Sequence, residues 1–108
     1  MIVPDFQSLM LPLLNFCASG AEIKNIDAIE YLSQLFGLNE QQRQQKLPSG
    51  RQKVFDNRVA WAKAHLKMAG LLETTGRGVF HITPEGQALL QTTPQQLNLA
   101  FLQTIPAY

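Results

Sequence analysis

Arg51, Gln52 and Lys53 follow directly on the turn-forming run Leu47-Pro48-Ser49-Gly50, and Asn57, Lys63 and Lys67 continue from them through a helical pattern. Lysine and arginine neutralise phosphates, and glutamine and asparagine pair with base edges, so the set has the chemistry of a nucleic-acid surface. Arg77 stands between Gly76 and Gly78, where a long cation without bulky neighbours can reach a minor groove or a backbone phosphate. The bland readings are an exposed polar helix start for residues 51–53, solvated lysines at 63 and 67, and ordinary turn chemistry at Arg77. The charge distribution favours the functional ones. A net charge of +1 over 108 residues hides five acids against Lys24 in residues 1–42, a net of −4, and eight bases against Asp56 and Glu73 in residues 43–81, a net of +6. Such asymmetry in a chain this short predicts a basic face for a polyanion.

Other reactive residues do not assemble into a reaction centre. Pro4-Asp5 with Glu22-Ile23-Lys24 spells the PD…ExK pattern of metal-dependent nucleases, but those enzymes hold the two carboxylates on neighbouring strands. Here the residues between read as a helix that Pro4 and Asp5 begin. His65 and His81 lack partners at metal-ligand spacing, Cys17 is the lone cysteine in an apolar setting, and no glycine-rich loop joins a strand to a helix. No catalytic residue, metal or cofactor is expected. Cysteine usage fits a reducing cytoplasm, and the Leu9–Leu14 run, broken by Pro12, is too short to span a membrane.

The elements that must position the basic residues are legible in the periodicity. Phe6, Leu9, Met10, Leu13, Leu14 and Cys17 give a first helix to about Ala18, and Ala21 to Lys24 a short strand. Ile26, Ile29, Leu32, Leu35 and Phe36 give a second helix, and Asn39 caps a short third one from Glu40 to Gln45. A long helix is expected from Arg51 to Gly70. With Ala62 at zero on a wheel, Phe55, Val59, Leu66 and Ala69 fall within about 60° as the buried stripe, while Lys53, Asn57, Ala60, Ala64 and Lys67 lie within about 40° of the opposite side. Arg58 sits about 40° from the buried centre, which favours a salt bridge to Glu30 or Asp27 over a base contact. Trp61, on the flank, reads as packing against the first helix or the hairpin. Leu71–Thr74 and Val79–Ile82 alternate around Thr75–Gly78 as a β-hairpin, and Thr83-Pro84 and Thr93-Pro94 start further helices, Glu85 to Leu90 and Gln95 to Gln103. This order predicts a mainly α fold with a small β-hairpin wing, a winged helix-turn-helix over residues 1–92, with residues 93–108 as a C-terminal helix leading toward a second domain.

The residues also carry a family resemblance. Ser49-Gly50, Asn57-Arg58-Val59-Ala60-Trp61-Ala62, Leu66-Lys67-Met68-Ala69-Gly70-Leu71, Arg77-Gly78-Val79-Phe80 and Thr83-Pro84-Glu85-Gly86, in this order and spacing, resemble the N-terminal domain of Mrr-like (type IV) restriction proteins. The opening Val3-Pro4 and Leu11-Pro12-Leu13-Leu14 are similar to that family's first helix. The resemblance implies a winged domain that engages double-stranded DNA, with a separate C-terminal endonuclease domain that cuts modified DNA using divalent metal. The expected role of this chain is then a DNA-binding module rather than an enzyme. Methylated bases as targets come from the resemblance alone, since the sequence shows no aromatic cage or flipping pocket. The rival reading is a protein-interaction or homodimerisation winged helix, motivated by the apolar face of Leu97, Ala100, Phe101 and Ile105.

Overall fold

Asp5 opens the first helix, α1 (Phe6–Phe16), by accepting the backbone N–H of Ser8 at 2.8 Å, so this carboxylate serves as a helix cap. The computed structural model describes residues 3–108. Leu9, Met10, Leu13 and Leu14 form the inner face of α1, and Cys17 ends it. That cysteine is fully buried, and burial pushes its thiol up to about 11, which makes it the inert hydrophobe its setting suggested.

A two-residue strand, β1 (Ile23–Lys24), leads straight into α2 (Asn25–Leu35), and a capping box between Asn39 and Gln42 starts α3 (Glu40–Gln44). The inner face of α2 departs from the expected one. Ala28, Leu32 and Ser33 are its buried residues, whereas Ile26 is 68% and Leu35 54% exposed. On a wheel Ile26 falls about 140° from the midpoint of Ala28 and Leu32, which turns it outward, while Leu35, about 40° from that midpoint, is exposed as the last residue of the helix.

The long helix, α4 (Val54–Met68), buries Phe55, Val59, Ala62 and Leu66, with Ala69 just beyond, as the wheel predicted. It starts later than expected. Residues 46–53 form a miniature hairpin in which Lys46 bridges Lys53, the N–H of Leu47 donates to Gln52 O at 2.9 Å, and that of Val54 donates to Gln45 O at 2.8 Å. Those backbone groups are committed to extended pairing, so Arg51 and Gln52 lie in the loop and Lys53 is the residue capping the helix. Gly70, at φ +77°, closes α4 with bonds from Gly70 N–H to Lys67 O and from Leu71 N–H to Leu66 O.

The hairpin is present as β2 (Leu72–Gly76) and β3 (Val79–Ile82), with an irregularity between Thr74 and Gly76. β1 joins it through Ile23 opposite Phe80, giving an antiparallel sheet of order β1-β3-β2. Thr83 caps α5 (Pro84–Gln91) by accepting Gly86 N–H, and its hydroxyl donates to Gly70 O at 2.6 Å. At Gly86 a Cβ would meet Leu71 O at 2.4 Å, so this contact between α5 and the strand requires glycine. The expected helix over residues 95–103 shrinks to α6 (Leu99–Leu102). Its cap is Asn98, which accepts Phe101 N–H, and the preceding chain buries Leu97. The molecule is thus mainly helical with a small three-stranded antiparallel sheet, an arrangement compatible with a winged-helix plan.

Candidate nucleic-acid interface

The turn after β2 carries Arg77, exposed at the tip. Its neighbour Gly78 accepts the backbone N–H of Asn25 at 2.9 Å, which pins the tip to the first turn of α2. The Asn25 side chain in turn accepts from Lys63 Nζ of α4 at 2.9 Å. One asparagine therefore links the hairpin tip, α2 and α4. The Lys63 ammonium also lies 4.8 Å from the centroid of the Phe80 ring. Burial, and next the charge of Lys67 one turn on, pull its pKa below the usual lysine value.

Where α2, α4 and β3 meet there is a cavity of about 390 Å³. Asn25, Gln52, Asp56, Ala60 and Lys63 stand around it, over a floor that includes Leu13, Val59 and Phe80. Gln52 reaches it from the loop before α4, and its side-chain oxygen accepts from Asn57 Nδ2 at 3.1 Å.

Few of the bases are neutralised internally. Among the described residues the ion pairs are Arg43 with Asp56, at 3.0 Å, and His81 with Glu73. Lys24, Lys46, Arg51, Lys53, Lys63, Lys67 and Arg77 take part in neither. Arg58 is held differently from the expected salt bridge: its guanidinium donates to the backbone carbonyls of Val3 and, at 3.1 Å, Pro4. Glu30 and Asp27 are not its partners. It is structural, as the wheel implied, but the N-terminal segment rather than α2 satisfies it.

The chain ends close the flank of α4 on which Arg58 lies. Phe6 stacks on His65 with centroids 5.2 Å apart, and Trp61 stacks on the same imidazole at 5.8 Å. His65 Nδ1 and the Tyr108 hydroxyl share a hydrogen bond of 2.7 Å. Trp61 stays 53% exposed.

Comparison with known proteins places these features in a lineage. The family model described as the Mrr N-terminal domain matches residues 6–92. The chain belongs to the Mrr N-terminal domain family. It is 33% identical over 101 residues to the type IV methyl-directed restriction enzyme EcoKMrr of Escherichia coli (strain K12). That match covers 91% of this chain but 32% of the relative, so the chain spans about a third of that protein's length. No solved structure matches the chain.

In this Mrr N-terminal domain the residues singled out from sequence are not one continuous helix face. Gln52 and Asn57 are bonded to each other, and Gln52 and Lys63 border one cavity. Arg77 joins them through Gly78 and Asn25. Arg51 and Lys53 sit at the start of α4, in and beside the miniature hairpin. Lys67 is exposed and also borders a second hollow, toward Glu73 and the C-terminal segment. Sequence reasoning passed over Asn25, Lys24 and Lys46. Asn25 gave no signal beyond its place after a strand. Lys46 had one, because its spacing from Lys53 across Pro48-Ser49-Gly50 suits a hairpin whose ends lie side by side.

Proposed function

We propose that this domain is a winged helix that docks double-stranded DNA, with α4 as its recognition helix and the β2–β3 hairpin as its wing. The observation that carries the reading is the joint at Asn25, which sets the hairpin tip beside α4, together with Arg51, Lys53, Lys63, Lys67 and Arg77 taking part in no ion pair among the described residues. In such folds the recognition helix enters the major groove and flanking elements hold the backbone. Lys53 and Asn57 would approach base edges past the low-relief Ala60 and Ala64. Arg51, displayed on the loop before α4, and Arg77 at the wing tip would grip phosphates, with Gln52, Lys63 and Lys67 completing the footprint. Fluorescence anisotropy on duplex DNA tests this. Binding at low salt, weakened at moderate salt and by Lys53→Ala with Arg77→Ala, is the expected result; no binding, or binding indifferent to those changes, overturns it.

By its relative's description, the whole protein is proposed to act in methyl-directed restriction, with methylated DNA as target; a cytoplasmic location is a separate proposal, from the lone cysteine. Residues 93–108 would lead into a C-terminal nuclease domain. No helix of the described residues is long and apolar enough to cross a membrane. Of the face that motivated an interaction module, Leu97 is buried and Phe101 and Ile105 lie half-buried against the core, whereas Ala100 is exposed.

A further inference from the structure

The cavity between α2, α4 and β3 falls within the range of pockets for small planar ligands, roughly 300–1,000 Å³. Leu13, Val59 and Phe80, all buried, give it an apolar floor, in which the Phe80 ring is covered by the Lys63 ammonium. Its rim is polar and biased toward donors. Asn25 Oδ1 is taken by Lys63 and Gln52 Oε1 by Asn57, which turns the two amide nitrogens and the remaining ammonium hydrogens toward other partners. Asp56 adds acceptor capacity beyond the oxygen that Arg43 engages. Such a site suits a flat group with a π-face and an edge rich in carbonyl or ring-nitrogen acceptors, which is the description of a nucleobase.

The cavity opens where the proposed DNA surface lies, since Gln52 and Lys63 belong to both. A second observation points the same way. Ile26, next to Asn25 in the first turn of α2, is 68% exposed, more than any other large hydrophobic side chain among the described residues. Apolar side chains at DNA surfaces wedge between base steps and unstack them. Resting on the docking reading above, we propose that the cavity receives one nucleobase extruded from the bound duplex, with Ile26 entering the vacated step. The base would displace Lys63 from above the Phe80 ring and be read at its edge by Asn25 and Gln52, while the released ammonium meets its phosphate.

The test uses the 108-residue chain and duplexes carrying a single 2-aminopurine, placed at each position in turn, with anisotropy recorded on the same samples. The inference predicts a severalfold fluorescence rise at one position on saturation. That rise should fall sharply in Ile29→Phe, which fills the cavity from α2, and in Ile26→Ala, a surface change that spares the core. Saturated binding without a rise at any position overturns the inference and leaves DNA docking standing. A rise that a folded Ile29→Phe leaves unchanged also overturns it, because the base then goes elsewhere. Absence of an anisotropy change at low salt overturns the docking reading and this one with it.

Discussion

On one flank of α4, Arg58 donates to the carbonyls of Val3 and Pro4, and His65 is held between Phe6, Trp61 and Tyr108. On the other, Lys63 has only an asparagine amide and the face of Phe80, beside an open cavity. Both flanks carry a basic side chain and aromatic rings. The difference lies in what satisfies the charge. The first flank uses the protein's own terminal segments, so its polar groups are consumed in holding the fold together. The second leaves a half-buried ammonium with no ion-pair partner among the described residues, an arrangement that costs stability in the free protein and that a phosphate would relieve if the domain docks DNA as proposed. One helix thus carries a structural side and a side that the docking proposal assigns to a ligand.

Substitutions should separate the two. Arg58→Ala removes two hydrogen bonds from a charged donor and should cost about 2–3 kcal/mol, seen as a clear drop in melting temperature with little change in DNA affinity of the folded fraction. A large affinity loss at unchanged stability would move Arg58 to the open side. Tyr108→Phe should cost less, about 0.5–1.5 kcal/mol, through the lost bond to His65, again without touching affinity.

Lys63→Met should do the opposite, leaving the melting temperature unchanged or raised while lowering DNA affinity. The pH dependence has a definite sign. The folded-state pKa of Lys63 lies below its unfolded value of about 10.4, so between the two the unfolded chain binds more protons and stability rises with pH. Chemical denaturation of the native protein and Lys63→Met across that window should show the native protein gaining relative to the variant. A relative loss would mean that Lys63 has an anionic partner in the free protein.

How much of this could be read from sequence depended on whether the cause was local. The buried stripe of α4, the Thr83 and Asn39 caps and the hairpin around Arg77 follow from periodicity and short-range turn chemistry, and all appear as expected. The start of α4 was misplaced because pairing between Lys46 and Lys53 claims backbone that propensity assigns to the helix. The partner of Arg58 was invisible because backbone carbonyls carry no residue signature. Small Ala28 drew no attention, although it sets the rotation of α2 and so leaves Ile26 exposed. The cavity exists only where three elements separated in sequence converge, and Asn25 matters because the β1–β3 pairing delivers it to Gly78.

The most direct test of the open flank is the salt dependence of duplex binding for the native domain, Arg77→Ala and Tyr108→Phe. Three to four phosphate contacts predict a slope of log K against log salt of roughly −3 to −4, reduced in magnitude by about one unit in Arg77→Ala and unchanged in Tyr108→Phe. A slope near zero, or one that Arg77→Ala leaves intact, would contradict the account.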